Sequence, residues 1–343
     1  MDSPRSPVTA FGKAAAERIE REAASWSETT SGMHAPRLAT EKEIPILDLS
    51  DCVRGKPGAV DEFAEQLRSA AFETGFYLLK GHGLPTELEE AVFAQAQRFA
   101  ALREEVRLQY PLNDYGVGHV PLNTRVLPRR PKGNMCTCIY FKREHGPRDI
   151  TWDRNQWPVE LGPEFRSVVV SYLETLEGVA KRLLPAYATL LGVAPDFFDR
   201  AFDDGLIRSR LAHYPQVELE EGQYGVGPHV DTTFLTILAR REQNPGLCVA
   251  TISGEWVRVP SYDGHFVINS GELLKSWSND RIVSTRHYAN SDGGERYSIP
   301  FFWHPRADYV MDCRAFASCA NDEHPAKYPP FSYLDSQGPA QRE

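Results

Sequence analysis

The sequence predicts a mainly β fold with flanking α-helices, a sandwich or jelly roll, on three observations. Short apolar segments punctuated by Gly, Pro, Ser or Asp succeed one another from about residue 227 to residue 303, as expected of strands joined by tight turns. Helical periodicities are confined to the part of the chain before them. A 343-residue chain with 41% hydrophobic residues can also bury a substantial core, and folds of this class reach that size without splitting.

Residues 1–42 are polar and rich in Ala, Ser, Glu and Arg, with a helix expected over Phe11 to Ala24, and read as an N-terminal extension. Residues 43–343 read as a single catalytic domain. Its parts are a helical N-terminal portion (43–205), a core over about 206–305 and a C-terminal segment (306–343). Val60, Phe63, Leu67, Ala70 and Ala71 recur at helical spacing up to Gly75, a suitable C-terminal cap, and a strand over Phe76 to Leu79 follows. Thr86 and Glu89 have the spacing of a capping box ahead of a helix carrying Leu88, Val92, Phe99 and Leu102. The longest helix is expected over about Pro163 to Leu191. Val169, Tyr172, Leu176, Val179, Leu183, Tyr187 and Leu190 form its buried stripe, and Pro185 predicts a kink.

Net charge −9 argues against nucleic acid as a partner, because phosphate binding needs a basic face; a small-molecule substrate is expected instead. No apolar run reaches the ~18 residues of a membrane span, and the N-terminus lacks the apolar centre of a secretory signal. A cytoplasmic location and no membrane partner are therefore expected. Cys52, Cys136, Cys138, Cys248, Cys313 and Cys319 lack paired metal-site spacing and read as free thiols.

His229, Asp231 and the later His287 are candidate metal ligands. Two imidazoles and a carboxylate suit a ferrous ion, holding one face of an octahedron and leaving the other open to substrate and dioxygen. On one strand over Gly227 to Leu238, His229 and Asp231 would point to the same face. His287 then comes from a second strand over Ser284 to Tyr288. Between them lie candidate strands Gly246 to Ala250, Glu255 to Val259 and Gly264 to Asn269. After them, Arg296 to Trp303 reads as a strand with Arg296 and Ser298 on one face, where an arginine fork beside a hydroxyl can bind a carboxylate.

With these residues in order, the stretch Arg208 to Pro305 resembles the isopenicillin N synthase-like family of 2-oxoglutarate/Fe(II)-dependent dioxygenases. The matching motifs are His229-Val230-Asp231, Gly264 to Gly271, Asn279-Asp280-Arg281, His287 and Arg296-Tyr297-Ser298; Ile44 to Leu49 and Gly75 to Gly83 extend the likeness. The resemblance implies a double-stranded β-helix (jelly-roll) core, with iron on His229, Asp231 and His287. It places the distal carboxylate of 2-oxoglutarate on Arg296 and Ser298, assisted by Tyr214; Ala212 stands where plant members often have asparagine. It also implies Fe(II), 2-oxoglutarate and O2 as cofactor and cosubstrates of an oxidation, first of all a hydroxylation, then desaturation or ring closure, with release of succinate and CO2. The retained Asp231 argues against halogenation.

Two alternatives stay open at this point. One is a 2-oxoglutarate-independent oxidase in which Arg296 and Ser298 bind the substrate's carboxylate; the other is a non-catalytic small-molecule binding protein. Phe234, Phe301 and Trp303 are candidate pocket residues, and Trp152 and Trp157 could also wall a pocket or pack a core. His82 reads as a turn residue, His213, His265 and His304 as packing residues or supports behind the site, and Asn269 first as a turn-stabilising amide and second as a hydrogen-bond partner near the site. The basic stretch Asn123 to Arg148, with Arg125, Arg129, Arg130 and Lys132, reads as a solvated loop or as an attractor of an acidic substrate.

Overall fold

A large mixed sheet backed by one long helix and a smaller antiparallel sheet make up the β part of the fold. The structure, a computed structural model, describes residues 36–124, 132–144, 154–220, 222–242, 245–290 and 294–336. The expected helix Phe11 to Ala24, Trp152, Arg125, Arg129 and Arg130 lie outside the described residues.

The strands of the larger sheet are β1 (Ile46–Asp48), β2 (Phe76–Lys80), β3 (Gly118–Val120), β4 (Thr137–Lys142), β5 (Leu206–Tyr214), β7 (Leu235–Arg241), β10 (Phe266–Ser270) and β12 (Arg296–His304). They pair in the order β1-β2-β10-β7-β12-β5-β4-β3. The smaller sheet is made of β6 (Val226–His229), β8 (Leu247–Ala250), β9 (Trp256–Arg258) and β11 (His287–Ala289), in the order β6-β11-β8-β9. The two sheets face each other as a jelly roll, so alternate side chains of each strand point inward or outward. Along β12 the outward set is Tyr297, Ile299, Phe301 and Trp303, which join the main core with the helices. The inward set begins with Arg296 and Ser298 and includes Phe302, which packs against a second buried cluster that contains Tyr140 and Ala212.

Helix α1 (Ala59–Ser69) passes into a π turn over Ala70–Thr74 and stops at Gly75, whose φ of +69° supplies the left-handed cap. A side chain there would also press on the Val283 carbonyl, 2.8 Å from an added Cβ. Helix α2 (Thr86–Ala100) starts after Pro85 with no side-chain cap, so the Thr86/Glu89 capping box is not formed. Thr86 is already the first helical residue, one position too late to accept from the amides beyond it. Helix α3 (Gly162–Leu191) buries the whole expected stripe and continues helically through Pro185. It braces the outward face of the large sheet, packing on β7 and β12. No described helix is long and apolar enough to cross a membrane.

The strand expected over Gly227 to Leu238 is two strands. The chain leaves the small sheet after His229 and enters the large sheet at Leu235. Asp231 lies in the crossing between them, so the His-x-Asp pair spans the two sheets instead of sharing one pleat.

Candidate active site

His229 and His287 are register partners on the adjacent antiparallel strands β6 and β11, which sets their rings on one inner face with centroids 4.3 Å apart. The crossing segment brings Asp231 to them. Its Oδ1 lies 3.6 Å from His229 Nε2 and 3.7 Å from His287 Nε2. The three donor atoms lie within 4.8 Å of one another, and among the described residues this is the single such cluster. Nitrogen and oxygen donors converging this closely can share one transition-metal ion.

Each donor is aimed by a further contact. His229 Nδ1 lies 2.8 Å from the Gly227 carbonyl and His287 Nδ1 lies 3.1 Å from the Thr285 carbonyl, which turns both Nε2 atoms to the centre. The free oxygen of Asp231, Oδ2, accepts from Thr236 Oγ1 at 2.7 Å and from Asn269 Nδ2 at 2.9 Å. Asn269 therefore takes the second of its two expected roles, bonding to the site in place of a turn; as an inward residue of β10 it sits across from Thr236 on β7. The crossing itself is clamped where Glu272 N donates to the Asp231 carbonyl. Gly271 allows this closeness, since an added Cβ would stand 2.1 Å from the Thr233 carbonyl. Burial and the neighbouring His229 lower the pKa of His287 to about 4, so its ring is neutral at pH 7. Burial alone would raise that of Asp231, but the two imidazoles and the Asn269 amide hold it well below the usual carboxylate range.

Arg296 and Ser298 lie on the same inner wall, opposite Tyr214 and Ala212 of β5. The Arg296 guanidinium lies over the Tyr214 ring at 3.5 Å, donates from Nε to the Asn290 carbonyl at 2.6 Å, and has Glu242 3.7 Å away. Glu242 in turn pairs with Arg240 at 2.8 Å, with both side chains almost wholly buried. Arg296 Nη2 is buried with no acceptor. A buried, aligned guanidinium donor without an acceptor is costly, and a carboxylate is the natural group to complete it. Gly246 makes room for this arginine, since an added Cβ would lie 2.8 Å from its Nε. The Tyr214 hydroxyl is placed toward Ser298, so the tyrosine both floors the arginine and touches the serine.

Phe234, Phe301 and Trp303 do not line this space. All three are fully buried in the outward core, where Phe234 and Trp303 pack around Phe202. The pocket side of the same strand holds Phe302, half-buried and across from Arg208 of β5 and Thr236 of β7. Its parity with Arg296 and Ser298 was the available signal. Arg210 and Arg208 are inward on β5, opposite Tyr140 and Lys142 of β4. Among the remaining candidates, His82 bridges the Gly264 carbonyl and the Leu84 amide. His213 pairs with Glu295 at 2.6 Å, and Trp157 stacks on Phe141. Cys136 and Cys138 are buried free thiols, and Lys132 pairs with Glu220.

A jelly roll holding a two-histidine, one-carboxylate cluster beside a buried arginine is the architecture of a mononuclear non-haem iron oxygenase. Residues 206–305 match the 2OG-Fe(II) oxygenase superfamily, and residues 44–160 match the family described as non-haem dioxygenase in morphine synthesis N-terminal. The chain is 30% identical over 306 residues to the 2-oxoglutarate-Fe(II) type oxidoreductase hxnY of Emericella nidulans, covering 85% of this chain and 87% of that one. It is 29% identical over 298 residues to the homoarginine-6-hydroxylase of Glycine max, covering 80% and 89%. A full-length Neurospora crassa protein crystallised in complex with alpha-KG superposes with a TM-score of 0.75 at 25% identity, covering 88% of this chain and 98% of that one. The chain belongs to the 2OG-Fe(II) oxygenase superfamily and is a 2-oxoglutarate- and Fe(II)-dependent dioxygenase.

Proposed function

We propose that His229, Asp231 and His287 hold the ferrous ion, and that Arg296, with Ser298 and Tyr214, seats the distal carboxylate of 2-oxoglutarate. In this reading the enzyme hydroxylates a specialised small molecule lodged against Phe302, with release of succinate and CO2. The observation that carries it is the Arg296 Nη2 donor, buried without an acceptor on the wall beside the three convergent metal-ligand atoms. Bound Fe(II) supplies the redox chemistry that couples decarboxylation of 2-oxoglutarate to oxidation of a substrate C–H bond. The protein's part is placement. Glu242, Asn290 and Tyr214 fix the arginine before the cosubstrate arrives, so little ordering is left to do on binding.

The 2-oxoglutarate-Fe(II) type of the Emericella nidulans relative and the alpha-KG bound in the Neurospora crassa structure favour this over an oxidase that uses no 2-oxo acid. They leave the substrate of this chain to its own pocket. Residues 43–343 act as one catalytic unit in this reading, supported by β1 and β2 extending the sheet that carries Arg296. Six free cysteines suit a reducing, cytoplasmic setting.

The test is succinate formation by anaerobically purified protein given Fe(II), 2-oxoglutarate and oxygen. Wild type is expected to show slow turnover without substrate, with His229→Ala and Arg296→Ala losing it. Turnover retained by Arg296→Ala at ordinary 2-oxoglutarate concentrations would overturn the cosubstrate assignment.

A further inference from the structure

Resting on the reading above, the described charges of the metal and cosubstrate sites balance, and Arg210 stands outside that balance. Asp231 and the chelating end of 2-oxoglutarate balance the iron, and Glu242 with the distal carboxylate balances Arg240 and Arg296. Arg210 has no such counterpart. It is inward on β5, opposite Tyr140 of β4, and two residues from Ala212, whose partner on β12 is Ser298. The strand rise therefore places it roughly 7 Å from the cosubstrate row, on the side toward Phe302.

The Arg210 side chain is half-buried. Nη1 donates to the Tyr140 hydroxyl at 3.0 Å, while Nε is buried with no acceptor. The guanidinium carbon lies 5.9 Å from the Phe302 ring and 5.8 Å from the Tyr140 ring, and no described carboxylate pairs with it. Lys142 and Arg208 share its inward face, with Arg208 flat over the Tyr140 ring at 4.0 Å. A cationic wall inside a chain of net charge −9 concentrates anions at the pocket. A structural arginine at such depth would be expected to have a carboxylate beside it, as Arg240 has Glu242, because an uncompensated buried charge is costly.

We propose that the substrate carries a carboxylate and that Arg210 binds it, with the apolar body of the substrate against Phe302. One planar fork with free donors matches a carboxylate in a bidentate pair. Arg210 is thus a specificity-determining residue, distinct from the arginine that holds 2-oxoglutarate.

The experiment is calorimetric titration, under nitrogen, of the Fe(II)- and 2-oxoglutarate-loaded protein with benzoate, phenylacetate, cyclohexanecarboxylate and hexanoate, and with the primary amide of each. At least one acid is expected to bind about thirtyfold or more tightly than its amide, the loss anticipated when a desolvated charge pair is broken. Arg210→Met should erase that preference, and Arg210→Lys, which keeps the charge without the fork, should keep part of it and guards against misfolding of the first variant. Amides binding as well as acids, acid binding unchanged in Arg210→Met, or no acid binding at all would overturn the proposal. A prior titration of wild type with 2-oxoglutarate alone separates the two readings: failure there strikes the cosubstrate assignment, not Arg210.

Discussion

The two hydrogen bonds to Asp231 Oδ2 should set how tightly the iron is held. Asn269→Ala removes one of them and Thr236→Val the other, while Oδ1 and both imidazoles stay in place. Two effects oppose each other. A carboxylate relieved of a donor is a slightly more basic ligand, but it is also freer to turn Oδ1 away from the centre. Asp231 is held ionised at pH 7, so added basicity gains little, and the loss of orientation should dominate. A hydrogen bond to a charged group contributes about 1.5–3 kcal/mol, equivalent to roughly 10- to 150-fold in a dissociation constant. Partners behind metal ligands typically cost about 10- to 100-fold when removed, so the two routes agree. Anaerobic calorimetry of Fe(II) binding reads this directly, with Thr236→Ser, which keeps the hydroxyl, as the control. Fe(II) affinity within about twofold of wild type in both Asn269→Ala and Thr236→Val would refute the argument.

Gly246→Ala should raise the KM for 2-oxoglutarate about tenfold or more with Fe(II) affinity unchanged, because the new methyl collides with Arg296 Nε and the Asn290 carbonyl; steady-state kinetics against calorimetry separate the two. Phe301→Ala should cost about 3–5 kcal/mol in denaturant unfolding and leave substrate preference intact, whereas Phe302→Ala should alter substrate use with a smaller stability loss. Acid should destabilise the metal-free protein through His119, whose pKa burial and then Arg107 lower to about 4. Below about pH 6.5 the unfolded chain takes up a proton that the folded chain refuses until about pH 4. Stability is therefore full above that window and falls through it, by about 2 kcal/mol on going from about pH 7 to about pH 5. His304, lowered to about 3 by burial, acts in the same direction. In His119→Gln the loss of stability between the two pH values, read from urea unfolding, should shrink by about 2 kcal/mol and leave the share of the other buried histidines, and an undiminished pH dependence in that variant would refute the assignment.

What could be read from the sequence followed from local rules. The stripe of α3, the Gly75 stop and most of the strands between Leu247 and Trp303 emerge from spacing and turn residues alone. The ligand and arginine positions are written in short motifs whose residue chemistry is restrictive. What was not legible depended on which sheet a strand joins. The run from Gly227 to Leu238 looks continuous because nothing in its composition marks the crossing at Asp231. Phe301 and Trp303 read as candidate pocket residues, although counting by twos from Arg296 puts Phe302 on the inner face. Asn269 and Arg210 are placed by partners far away in the chain, Asp231 in the crossing and Tyr140 on β4.

The alternation along β12 has a consequence for how this enzyme can change over generations. Ile299, Phe301 and Trp303 answer to the helices behind the sheet, while Phe302, two steps beyond Pro300, lies on the inner face and in the proposed reading answers to the substrate. A replacement at Phe302 can therefore be tried by natural selection without reopening the question of whether the protein folds. New substrates can be sampled on one side of a strand whose other side stays under unrelaxed constraint, so diversification of chemistry need not be preceded by gains in stability.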